Sequence, residues 1–410
     1  GGVFVWVREA FGPKYGFLAI FMEWVQNLPW YPAAATFVAT CLAYTFSPEL
    51  AHNRWYVFFT TIAILWVATV LNFRGMRLSV FLSKSGVLVG TIIPGFFLIA
   101  IASAYILTDK PIQIPFNGGA ALIPDLSTPK QWMLLAGMMV SLAGMEMSSV
   151  HVTNMKNPTS AFPRAIFLAS LIILFFSIFG ALSVALVVPG TQLSMSAGVC
   201  QSFETMLKAL GFSWFTPILA AFLAYGALAS IVTWMNGPSR GLLEVAQEGY
   251  LPKYWQTRNS FGMQTSILIL QTGCATFLAL SVLVMPSVSD AFWLFLALCG
   301  ELYMVMYLLM FAAAIRLKLR YPDKKGSYQV PGGKVGLCLM SGVAFVTCFI
   351  SILCGFVPPE QILSKGVWAS LGYIFFLIAG LVIFISTPLY FFNQYQRQQR
   401  NSIETVAKPQ

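Results

Sequence analysis

Ten stretches of this chain are apolar for long enough to cross a lipid bilayer. They lie near 15–46, 55–73, 84–107, 131–152, 165–188, 214–237, 265–285, 290–315, 335–356 and 367–391. A hydrocarbon core about 30 Å thick needs about 20 predominantly apolar residues of helix. Inside it, only helices and closed barrels satisfy every backbone polar group. The pattern therefore predicts an all-α integral membrane protein. The composition agrees: of 410 residues 58% are hydrophobic and 9% charged, with a mean hydropathy of +0.76. Residues 1–410 read as one transmembrane domain ending in a short tail over 393–410, with no soluble domain.

Lysine and arginine are unevenly placed. Loops around 8–14, 74–84, 156–164, 240–258, 316–334 and 397–408 hold 19 of the 24, and the alternate loops hold the other 5. An excess of these residues marks cytoplasmic loops. The alternation supports the span count and a cytoplasmic C-terminus. A net charge of +10 invites a nucleic-acid partner, but the basic residues form no continuous stripe, so none is expected. The seven cysteines show no CxxC or Cys/His ligand spacing, which argues against a disulfide framework or a metal site. Without a nucleophile–base pair or a cofactor motif, neither an enzyme nor a cofactor is expected.

Local signals add detail. Val3–Phe11 reads as the end of a helix, and Pro29 and Pro32 should kink the first span, with neighbouring helices meeting the freed carbonyls. Gln201–Leu210 and Arg240–Tyr250 read as short amphipathic helices at the interface. Asn236–Arg240 carries Gly237 and Pro238 and is expected to end a span. Pro331-Gly332-Gly333 reads as a tight turn.

One span departs from the rest. Trp132–Pro158, WMLLAGMMVSLAGMEMSSVHVTNMKNP, begins as a membrane helix and then carries Gly144, Glu146 and His151. Glu146 lies about 21 Å beyond Trp132 on a helix rising about 1.5 Å per residue. That is inside the membrane, where a carboxylate costs roughly 2.5–3.5 kcal/mol. Glycine and serine beside it predict a broken helix, which is tolerated at this depth only where protein buries it or a cavity is lined by it. His151 is a candidate for titration near neutral pH. Glu301, also mid-span, should face protein or water.

The segment GMEMSSVHVTNMKNP (144–158) resembles the glutamate/GABA antiporter family of the amino acid–polyamine–organocation transporters. The likeness continues through VVPG (187–190), SAGVCQSF (196–203), WMNGPSRG (234–241), LALCGELYMVMY (296–307), YPDKKGSYQVPGGK (321–334) and GFVPPEQI (355–362). It implies a five-plus-five inverted repeat of twelve helices. The ten spans would be helices three to twelve, and the first helix and most of the second would be missing from a chain that opens Gly1-Gly2. Such a chain is expected not to transport by itself. The resemblance implies substrate roles for Glu146, for Trp234, and for Tyr303 and Tyr307, whose i,i+4 spacing shares one helix face. Where the family's antiporters carry a glutamate, this sequence has Ser230. Glu301 has no counterpart in the family pattern, and it points roughly 200° away from Tyr303 on a regular helix.

These readings converge on an amino acid transporter in a lipid bilayer, with a small amino acid as its partner. Exchange of external glutamate for internal gamma-aminobutyrate leads. A proton-coupled permease of different substrate, and a truncated, non-transporting remnant, stay open, as does the oligomeric state. Glu146, Glu301 and His151 are the proton-linked candidates. The polar segment after Phe392 reads as a disordered basic tail held at anionic lipid through Arg397 and Arg400, not as a plug.

Overall fold

The computed structural model describes residues 2–108, 110–114, 127, 129–190, 192–285, 287–322 and 328–406. The described chain is all-α. Helices α1 (Gly2–Phe11), α2 (Pro13–Val25) and α3 (Asn27–Phe46) open it, followed by α4 (Arg54–Phe73) and α5 (Met76–Val87). A π-turn at Leu88–Ile92 joins α5 to α6 (Ile93–Leu107), and α7 (Pro129–Ser141) gives way to a 3-10 segment, Met145–Asn154. Then come α8 (Pro158–Ala185), α9 (Gly198–Ala209), α10 (Thr216–Gln247), α11 (Thr265–Ala279), α12 (Ser281–Val284) and α13 (Val288–Arg320). Helices α14 (Gly333–Gly355), α15 (Glu360–Leu363) and α16 (Val367–Val406) complete it.

Among the described residues, 8 helices are long and apolar enough to cross a membrane. The other two expected spans, 15–46 and 131–152, are interrupted. The first breaks between α2 and α3 at Gln26, three residues before Pro29, which has no N–H to return to Val25. Before the break, the Glu23 carbonyl accepts from the side chain of Asn27 in the same span at 2.9 Å. The second span breaks at Ala143–Gly144, as glycine beside Glu146 implied.

Helix α10 overturns two expectations. Asn236–Arg240 does not end it, and Arg240–Tyr250 is not a separate interfacial helix: α10 runs unbroken to Gln247. Pro238 cannot donate to Trp234 O, but the Tyr31 hydroxyl does so at 3.1 Å. A neighbouring helix thus restores the bond that proline removed, and the ladder continues. The expected amphipathic helix at 201–210 is α9, which buries Phe203, Met206 and Leu207.

Burial sorts the helices by depth. The most apolar stretch of α13 is 56% buried, whereas that of α8 is 0% buried and turns Phe167, Leu171, Phe175 and Ile178 outward. Around α10, helix α3 packs on one side and α5 with the π-turn on another. Gly90 and Gly226 meet backbone to backbone there, with no room for a Cβ on either; small residues let membrane helices approach this closely.

Contacts between segments distant in sequence tie the helix ends together. At one end Arg8 pairs with Glu248 at 3.4 Å, Arg316 covers the Phe11 ring at 4.9 Å, and Asn259 donates to Phe73 O at 2.9 Å. At the other, Lys365 pairs with Asp290 at 2.6 Å and Cys41 meets Cys200 at 3.5 Å. The segment after Phe392, expected to be disordered, continues α16 as helix to Val406. Tyr395 packs on Tyr250 at 4.6 Å between ring centroids, and Phe392 stacks on it at 5.7 Å. That aromatic cluster supplies the apolar surface that composition alone did not reveal.

Candidate functional site

The two interruptions meet at one place. A cavity of about 390 Å³ lies between them, walled by Gln26, Asn27 and Trp30 on one side and by Val140 and Ala143 on another. Helix α13 supplies Trp293, Cys299, Glu301 and Tyr303, α14 supplies Ser351 and Gly355, and α16 supplies Tyr373. Trp234 of α10 completes the wall.

Glu146 sits behind this wall, not on it. Both its carboxylate oxygens are engaged: the Tyr303 hydroxyl donates to one and the Tyr307 hydroxyl to the other. The i,i+4 spacing of the tyrosines makes this possible, with ring centroids 5.0 Å apart. Gly144 N–H in turn donates to the Tyr307 oxygen at 2.8 Å. Gly144 has a φ of +114°, a conformation L side chains rarely adopt, and a methyl group there would lie 2.7 Å from the Trp234 ring. Glycine is thus required twice over, by the backbone turn and by the indole. Trp234 is held from its other side by Trp30 at 5.8 Å between centroids, while its carbonyl takes the Tyr31 hydroxyl.

The structure brings Trp234, Tyr303 and Glu301 onto one cavity and places Glu146 one side chain away, through Tyr303. Glu301 and Tyr303 share the cavity despite their angular separation on α13, because the opening wraps a broad arc of that helix from Leu296 to Met304. Ser230, one turn before Trp234, is half-buried and not part of the wall. His151 belongs to the 3-10 segment, and its side chain lies outside the described residues.

Sequence reasoning missed Glu23. It is 2% exposed on α2 and near enough to Glu146 for the two carboxyls to interact electrostatically. The signal was available: it is a carboxylate in an apolar run, the same anomaly that marked Glu146. No lysine, arginine or histidine is part of the described cavity wall.

A helical bundle of membrane-crossing length, with two interrupted spans around an aromatic-walled cavity that carries a buried carboxyl group, defines a multi-pass membrane transporter. The chain belongs to the amino acid permease family, whose model matches residues 1–384. It is 34% identical over 398 residues to an uncharacterized transporter of Legionella pneumophila, covering 97% of this chain and 85% of that one. It is 28% identical over 414 residues to a glutamate/gamma-aminobutyrate antiporter of Lactococcus lactis, covering 100% and 81%. A probable agmatine/putrescine antiporter of the same species is 23% identical over 389 residues, with 93% and 81% covered. The chain is a transporter and not an enzyme.

Proposed function

We propose that this protein is an antiporter that exchanges external glutamate for internal gamma-aminobutyrate or a related amino acid. Glu146, Trp234, Tyr303 and Tyr307 form the substrate site, with Ser230 one turn from Trp234. The observation that carries the reading is the Glu146 carboxylate held by two tyrosine hydroxyls at a helix break beside the cavity. A substrate amine needs a carboxylate or an aromatic face, and a break at this depth frees backbone groups for its carboxyl group. Ser230 stands where the family's antiporters carry a glutamate, and Glu301 on the same cavity supports retention of that negative charge. The basic end of the bundle faces the cytoplasm of a bacterial cell, with the C-terminus there. Counterflow tests the exchange: liposomes loaded with gamma-aminobutyrate take up labelled glutamate, and unloaded liposomes do not.

A proton-coupled permease is the second reading, favoured by one observation: Glu301 is buried on a cavity without a lysine, arginine or histidine in its described wall, with Glu23 buried on α2 and Glu146 half-buried behind Tyr303. Uptake into unloaded liposomes that follows an imposed proton gradient would select it over exchange.

A further inference from the structure

Glu301 has no role in the cluster around Glu146. It lies midway along α13, is 2% exposed, and is one of the residues lining the cavity. One carboxylate oxygen abuts Gly355 of α14, where any side chain would collide with it. The other has no hydrogen-bond partner.

Four donors of this wall are committed elsewhere, and Trp293 Nε1, buried on the same wall, makes no hydrogen bond to Glu301 or to any other described group. Tyr373 OH donates to Gly355 O at 2.9 Å, and Ser351 OH to Thr347 O at 2.9 Å. Cys299 donates to Gln26 Oε1 at 3.0 Å, and Asn27 to Glu23 O at 2.9 Å. Leaving a buried carboxylate unpaired is among the costliest arrangements a protein interior holds. Among the described residues the wall offers it no cation, while Trp30, Trp234, Tyr303 and Tyr373 line the same space. A carboxylate without a donor, beside aromatic faces, is complementary to an ammonium group. The volume of about 390 Å³ suits a small linear molecule.

We propose that Glu301 is the anchor of a cation subsite, separate from the Glu146–Tyr303–Tyr307 cluster, that takes the terminal ammonium group of an amine-bearing substrate. The subsite rests on the transporter reading but not on glutamate being the counter-substrate. It makes the molecule exchanged a primary amine with its charge at a chain end, and it assigns the recognition of that charge to α13.

The test uses purified protein in detergent and three probes: n-butylamine, which has the ammonium alone; gamma-aminobutyrate, which has both ends; and butyrate, which has the carboxylate alone. Binding is read by thermal-shift titration. The wild type binds the two amines and binds butyrate at least about tenfold more weakly. In E301Q, which removes the charge and keeps the shape, both amines weaken by about tenfold or more, equivalent to about 1.4 kcal/mol. E301D retains most of the affinity. G355A keeps the charge but pushes the carboxylate from its seat, so it also weakens the amines; it carries the test where E301Q does not yield monodisperse protein. Unchanged n-butylamine binding in E301Q or in G355A overturns the subsite, and so does butyrate binding as tightly as n-butylamine to the wild type. Counterflow on the same preparations separates the two claims. Amine binding lost in E301Q from a wild type that does not exchange glutamate leaves the subsite standing and removes the exchange reading. Normal exchange with amine binding intact in E301Q does the reverse.

Discussion

Replacing Tyr31 by phenylalanine isolates a single hydrogen bond that lets α10 pass through a proline. The Tyr31 hydroxyl, on a side chain that is 0% exposed, donates to Trp234 O at 3.1 Å, the carbonyl that Pro238 cannot serve. In Y31F the ring still packs, but that buried carbonyl loses this donor. An unsatisfied buried acceptor costs about 1–3 kcal/mol, and hydrogen bonds between membrane helices measure about 0.6 on average and up to about 1.7. A loss of about 1–2 kcal/mol follows. Pro238→Ala supplies the missing N–H from within the helix, so Y31F in that background should cost less than about 0.5 kcal/mol, a coupling of about 1 kcal/mol or more. The assay is reversible unfolding in mixed micelles for all four proteins of the cycle. Because Trp234 sits on this carbonyl, Y31F should also raise KM for the transported amino acid, and the double variant should recover it. Additive stability effects, with a coupling below about 0.3 kcal/mol, would refute the argument that Tyr31 replaces the proline's lost bond.

Three other outcomes follow from the same geometry. Gly144→Ala must hold a positive φ at a cost of about 1–2 kcal/mol and press a methyl into Trp234; transport kcat/KM should fall at least about tenfold in protein that remains monodisperse, and wild-type kinetics would contradict the site geometry. Cys41 and Cys200, 3.5 Å apart, need to close to about 2.05 Å to bond; copper phenanthroline in air should join them with loss of two hydrogens, and Cys41 and Cys200 both still alkylatable after treatment and unfolding would show that α3 and α9 do not pack as described. A chain shortened to Gln399 keeps Tyr395 against Tyr250 and should keep the pH profile of transport, which the core carboxyls set; higher activity at neutral pH with unchanged acidic activity would make the tail a plug.

Much of the fold was legible because bilayer physics leaves few choices. The apolar runs gave the helices, and the carboxylate and glycine of Gly144–Glu146 gave the break, since neither fits an unbroken span. The tyrosine pair was legible too, because a spacing of four places two hydroxyls side by side. What the sequence hid depends on partners distant along the chain. Pro238 reads as a helix stop until Tyr31, 203 positions away, meets the freed carbonyl. The segment from Asn393 looks unfolded until Tyr395 finds Tyr250. Helical-wheel angles separate Glu301 from Tyr303, yet a cavity that spans a wide arc of α13 collects both. Glu23 was different, since nothing distant was needed to see it. It stood in plain view within the first span, overlooked beside the two prolines.

The three carboxyls inside the helix bundle bear on why such a protein would exchange and not simply release. Glu301 lines the cavity, Glu146 lies behind it through Tyr303, and Glu23 is buried on α2; two tyrosine hydroxyls donate to Glu146. Hydroxyls disperse charge without cancelling it, and no lysine, arginine or histidine is part of the described wall. The penalty for an ionised carboxyl in such a place is several kcal/mol per group unless a partner arrives. The partner has to be mobile: a proton or the ammonium group of a substrate. A conformational change that carries the empty, ionised site through the membrane interior meets that penalty in full, while the amine-loaded site meets only part of it. A difference of about 2.8 kcal/mol between the two slows the empty return about a hundredfold. On this argument one variant should convert mechanism as well as affinity. With Glu301 neutralised in E301Q, the empty site returns more easily, so amino acid uptake into unloaded liposomes should rise relative to counterflow. A ratio of uptake to counterflow identical to wild type would show that the charge on Glu301 has no part in holding the cycle to exchange.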